Sequence, residues 1–133
     1  MLTDAGGVPL AMTLTAANTH DVKAALPTIV GVPPVRGKVG RPRTRPDTLV
    51  ADKAYDSNPL RQLLTWLGVR PEIPNRGDLS RGLGKRRWQV ERTLAWLHQF
   101  RRLRIRWERR ADFHQAFVTL AASMICHRIL KKT

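Results

Sequence analysis

Three observations predict an α/β domain, with a mixed sheet flanked by helices. Short β-prone or apolar runs occur at residues 1–15, 48–51 and 69–73, bounded by Gly, Pro, Asp and Asn. Apolar residues recur at three- and four-residue spacings across 59–67, 88–100 and 113–130. The order strand, helix, strand, helix is that of a sheet covered by helices.

Residues 1–15 read as a hairpin, with Asp4-Ala5-Gly6-Gly7 as the turn and Val8 to Thr15 returning. Asn18-Thr19-His20-Asp21 offers capping side chains to a helix over Val22 to Val30, which Pro27 makes short or irregular. Residues 31–46 form a basic, proline-rich loop without apolar period. Its Gly40-Arg41-Pro42 resembles the core of an AT-hook, which lies in the minor groove of A·T-rich DNA; a solvated, mobile connection explains one such copy as well. Thr48 to Ala51 reads as a buried strand ending on Asp52. Asp56-Ser57-Asn58-Pro59 caps a helix from Pro59 to Leu67, with Leu60, Leu63, Leu64 and Leu67 inward and Gly68 closing it.

Val69 to Ile73 reads as a further strand, weakened by Pro71 and Pro74, before a glycine- and arginine-bearing loop over 75–84. The next helix buries Val90, Thr93, Leu94, Trp96, Leu97 and Phe100, while Arg87, Glu91, Ala95, His98 and Arg102 form its flank. At helical spacing beside leucines, Trp88, Trp96, Phe100 and Trp107 read as core rather than as base-stacking platforms. Leu103 to Trp107 alternates apolar and basic, as an extended segment or a helix end does. A last helix from Asp112 carries a core stripe of Phe113, Ala116, Phe117, Leu120, Met124, His127, Arg128 and Leu130.

The 133 residues suffice for one domain with a modest core. Lys and Arg number 24 against 10 Asp and Glu, a net charge of +14 that repels itself unless a polyanion is the partner. DNA is the first candidate, because neutralised phosphates release counterions. No run approaches the ~20 apolar residues of a membrane span, and residues 1–20 carry no signal-peptide pattern. The single cysteine, Cys126, excludes an internal disulfide and reads as a structural thiol in a reducing cytoplasm. The four histidines show no zinc-ligand spacing, and His20-Asp21 reads as a helix cap rather than a dyad.

Asp52, at a strand end, and Glu91, on a basic helix, are the candidate metal ligands and catalytic carboxylates. Hard cations such as Mg²⁺ take one or two carboxylates and leave places for water and phosphate. On spacing alone, an Asp52–Lys53 pair and a Glu91–Arg87 helix pair explain the two acids equally well.

Val50-Ala51-Asp52-Lys53-Ala54-Tyr55-Asp56-Ser57 and Arg87-Trp88-Gln89-Val90-Glu91-Arg92-Thr93-Leu94-Ala95-Trp96-Leu97 closely resemble the second-Asp and Glu blocks of bacterial insertion-sequence DDE transposases, in the branch numbered five. Leu2 to Leu10, Asn18 to Asp21, Gly40 to Pro42, Phe100 to Arg104 and Trp107 to Arg110 also resemble family segments, so the likeness spans nearly the whole chain. The resemblance implies an RNase H-like domain that cuts and joins DNA strands with Mg²⁺ held by two Asp and one Glu. Asp52 matches the second Asp, Glu91 the Glu, and Arg87 the arginine four residues before it. The pattern's tyrosine and lysine fall at Gly84 and His98, so both are replaced.

The family's first Asp lies on a strand upstream of the early hairpin, and neither Asp4 nor Asp21 matches it. The expectation is therefore an incomplete sheet and site, inactive alone, with a second polypeptide or an intact transposase as partner beside the DNA of the insertion-sequence ends. Lys53, Arg86, Arg87, Arg92, His98, Arg101 and Arg102 are the expected DNA contacts, in a cytoplasmic, nucleoid-associated protein. A non-catalytic DNA-binding polypeptide that competes with an intact transposase is the alternative; an RNA-binding basic protein has only composition behind it.

Overall fold

The computed structural model describes residues 1–15, 18–37, 39–75, 77 and 84–132, with backbone alone at 21 and 84–87. Its elements are β1 (Leu2–Thr3), β2 (Pro9–Ala11), α1 (Asp21–Val30), β3 (Thr48–Val50), α2 (Asn58–Trp66), β4 (Arg70–Glu72), α3 (Gly84–His98), α4 (Arg101–Arg104) and α5 (Ala111–Leu130). A 3-10 turn, Lys53–Tyr55, follows β3. The chain divides into two compact units, residues 1–14 with 87–133 and residues 15–86.

Both units combine helices with strands, as the α/β class requires. The strands do not join in one mixed sheet among the described residues: β1 and β2 pair antiparallel, and β3 and β4 pair parallel. These strands are two or three residues long, and Pro9 and Pro71 lie within them without an N–H to extend a ladder.

In the first unit, Asp4 Oδ1 accepts from the backbone N–H of Gly6 at 2.8 Å and of Val8 at 2.7 Å, which closes the hairpin turn. Helix α3 lies against that turn. A Cβ on Gly7 would stand 3.0 Å from the carbonyl oxygen of Gln89, and Gly7 has φ +77°, so only glycine fits there. Thr93 is fully buried, with its hydroxyl against the carbonyl oxygens of Gly7 and Gln89. Leu97, Ala121 and Ile125 form the core, with Met1, Met12, Trp96, Phe100 and Leu103 packed on it.

Two expected apolar faces are corrected here. On α3, Thr93 and Leu97 are buried, whereas Val90 and Leu94 are exposed. The helix has turned its Gln89–Thr93–Trp96–Leu97 side to the hairpin, where the Thr93 hydroxyl bonds the Gly7 carbonyl. On α5, the buried positions are Val118, Ala121 and Ile125, while Phe113, Leu120, Met124 and Leu130 of the expected stripe stay exposed. Apolar residues surround this helix, and small Ala121 marks the side that allows close approach. Gln115 Nε2 donates to Met12 O at 3.1 Å, and Cys126 Sγ lies 3.8 Å from Pro9 O, so that side faces the hairpin. Trp88 and Trp107 are exposed rather than core, and residues after the four-residue α4 turn extended at Ile105.

In the second unit, the β3–α2–β4 segment pairs Leu49 with Pro71 and buries Leu49, Leu60, Leu64, Val69 and Ile73. Leu63 and Leu67 are half-buried, and Gly68 closes the helix at φ +75°. Helix α1 runs ten residues through Pro27 and buries Ala25, Thr28 and Ile29. The expected caps differ: His20 and Ser57 occupy the N-cap positions without a side-chain hydrogen bond. Asp56 turns to Arg61 instead. The loop after α1 is closed by a reciprocal Val35–Arg43 backbone pair, at 2.8 and 2.9 Å. Most of the expected 75–84 loop lies outside the described residues.

Candidate functional site

Asp52 stands at the carboxyl end of β3, where open α/β sheets place their sites. It caps the 3-10 turn: its Oδ1 accepts from Ala54 N at 2.9 Å, and its carbonyl accepts from Tyr55 N at 3.1 Å. The half-buried carboxylate is thus oriented through one oxygen, with no bond to its Oδ2 among the described residues. Lys53 beside it is exposed.

An ion-pair cluster that sequence reasoning missed supports this corner. Arg61 donates from Nε and Nη2 to Asp56 Oδ1 at 3.1 and 2.9 Å, and from Nη2 to Ile73 O at 2.7 Å and Asn75 Oδ1 at 3.3 Å. Both partners are mostly buried, so Arg61 ties the turn after Asp52 to the end of β4. No local pattern pairs Asp56 with Arg61, because five residues is not a helical repeat and Asp56 reads from the sequence as a cap.

Glu91 lies in the other unit, exposed on α3, with exposed Ala95 one turn on. Among the described residues no side chain bonds to Glu91; the Arg86 and Arg87 side chains lie outside them. Arg92 is stacked between Trp88 and Trp96, 4.6 Å from each ring centroid. This ladder at 88, 92 and 96 also escaped the sequence reading, although its i, i+4, i+8 spacing was visible. Arg92 Nε is buried without a partner among the described residues.

His98 and Arg101 are exposed. Arg102 pairs with Glu108 at 2.7 Å and covers the Phe117 ring at 5.0 Å. An apolar groove between α4 and α5, floored by Phe100, Leu103, Phe117 and Met124, contains neither expected carboxylate. Among the described residues no group of three or more His, Cys, Asp or Glu is placed to hold a metal ion, and no helix is long and apolar enough to cross a membrane.

Residues 1–126 match the family model of the transposase DDE domain. A Burkholderia cepacia protein described as "Putative transposase for insertion sequence element IS402" is 51% identical over 133 residues, covering 99% of this chain. The chain spans 63% of that relative's length. No solved structure matches the chain. With the Asp52 block at a strand end, the Glu91 block on a helix and these matches over nearly all its length, the chain belongs to the bacterial insertion-sequence transposases that carry a DDE domain.

Proposed function

We propose that this chain contributes to DNA strand cleavage and transfer through an RNase H-like catalytic domain, with Asp52 and Glu91 as ligands of Mg²⁺. The supporting observation is Asp52 at the end of β3, its carboxylate oriented through one oxygen with no bond to the other among the described residues, in a chain of this family. The donor chemistry fits a hard cation, since both residues are carboxylates. Such ions, when bound, assist attack on phosphorus and offset charge on the leaving oxygen. The chain's own cations hold the DNA backbone: Lys53, Arg86, Arg87, His98 and Arg101 contact phosphates directly. Arg92 and Arg102 add the donors their intramolecular partners leave over.

These 133 residues supply two of the three carboxylates that the family resemblance implies. The chain tested alone is therefore expected to show no Mg²⁺-dependent cleavage of DNA carrying insertion-sequence ends, and to gain it when a second polypeptide provides the upstream part. In that complemented assay Asp52→Asn and Glu91→Gln each abolish activity. Activity indifferent to both changes would overturn the site assignment. A cytoplasmic location on DNA follows from this reading.

A second reading, a DNA-binding polypeptide that competes with an intact transposase, is favoured by the charge of +14. Its signature is inhibition of an active transposase by the chain, unaffected by Asp52→Asn and weakened by Arg101→Ala. Undiminished transposition at saturating chain removes it.

A further inference from the structure

The loop between α1 and β3 sorts its arginines into two kinds. At its base, Arg43 pairs with Asp47 at 2.5 Å and Arg45 donates to Leu67 O at 3.0 Å, so both are spent on the fold. Reciprocal Val35–Arg43 bonds close the loop above them. At the tip, Arg36 and Arg41 are exposed and have no bonded partner among the described residues. Val39 is fully exposed, and the positions where Gly37 and Gly40 would carry a Cβ have nothing within 4 Å. Gly40 has φ +128°, a conformation that bulkier residues avoid.

A tip of this kind is built for a narrow, negative, partly apolar cleft. Gly40 lets the main chain come close to a surface, and Pro42 contributes no N–H that would need a partner. Val39 and Pro42 supply apolar contact beside two guanidinium groups. The minor groove of A·T-rich duplex DNA has these properties: it is about 6 Å wide, acceptor-lined at its floor and walled by sugars. Its narrowing in A-tracts deepens the negative potential that draws in arginine. The major groove, about 12 Å wide, is filled by a helix or ribbon rather than by a tip of this size.

We propose that the tip residues Arg36, Gly37 and Val39 to Pro42 form a minor-groove reader that gives this chain a preference for A·T-rich duplex DNA. The proposal rests on DNA being the partner, but is independent of Asp52 and Glu91.

The test is fluorescence anisotropy with the 133-residue chain in EDTA, using A·T-only and G·C-only duplexes of equal length. The wild type is expected to bind the A·T duplex about tenfold tighter, and netropsin, a minor-groove ligand, to remove that margin. Arg36→Ala/Arg41→Ala brings the two affinities to parity. Arg36→Lys/Arg41→Lys keeps the charge and the salt slope but lowers the A·T margin, because an ammonium holds its hydration more strongly. These exposed positions should leave the circular dichroism spectrum unchanged. Equal wild-type affinities overturn the proposal, as does a margin that survives both double variants or resists netropsin. Absence of binding to either duplex overturns it together with DNA as partner. A retained A·T margin with no cleavage in the complemented assay counts against the catalytic reading alone.

Discussion

Thr93 shows how one hydroxyl sets the orientation of a helix. It is buried against the Gly7 carbonyl, and Gly7 in turn has no room for a side chain beside Gln89 O. Thr93→Val keeps the shape and removes the bond, and should cost about 1–2 kcal/mol in urea unfolding. Gly7→Ala meets both a left-handed backbone and a crowded carbonyl, and should cost about 1–3 kcal/mol by the same measurement. Asp112 provides a pH marker. The Arg110 guanidinium beside it holds its carboxyl below the usual carboxylate range. Its contribution to stability is therefore complete above the ordinary carboxylate pKa and is lost as pH falls through the lowered one. An NMR titration should show Asp112 protonating at lower pH than in an Arg110→Ala variant. Cys126 goes the other way, its thiol pushed up by burial, so it should alkylate more slowly than a free thiol at mildly basic pH.

Among the elements, those whose pattern has one solution could be read from the sequence. The hairpin, the leucine face of α2 and the strand ending on Asp52 follow from alternation, spacing and turn residues, and the structure contains all three, although Leu49 alone of that strand is buried. Helix α5 could be located but not oriented, since Val118–Ala121–Ile125 and Phe113–Leu120–Met124 are equally apolar spacings. Only its partners, the hairpin and α3, choose between them. Long-range polar contacts were equally hidden. Arg61 reaches Asp56 and Ile73 O because α2 folds back along β4, and no local pattern announces that. Replacing Arg61 with Met should destabilise the second unit by about 2 kcal/mol, read from its unfolding transition, because it removes the bonds that Arg61 makes to Asp56 and to Ile73 O. Of the candidate site, Asp52 and its strand-end position were readable, as was Glu91 on an exposed helical flank. The support around Asp52 and the stacking of Arg92 were not, because both depend on side-chain conformations.

For the whole molecule, the excess of cations is the dominant physical fact. Binding to a duplex should weaken linearly in log–log form as salt rises, with a slope of about −0.9 for each phosphate neutralised. Removing one phosphate contact, as in Arg101→Ala, should lower that slope by about one without altering base preference. A variant that shifts base preference while leaving the slope untouched would show that Arg101 reads bases instead.

The hairpin's partners have a temporal consequence. Gly7 meets Thr93, Met12 meets Gln115 and Pro9 meets Cys126, contacts that join residues 86, 103 and 117 positions apart. A chain leaving the ribosome exposes Met1, Pro9 and Met12 early, and their cover arrives only when α3 and α5 emerge. The residues between, 15–86, form a unit of their own and are synthesised in the interval. Synthesis therefore delivers the inserted unit first and closes the surrounding one last, so a nascent chain stalled before α5 carries an uncovered hairpin for chaperones to hold.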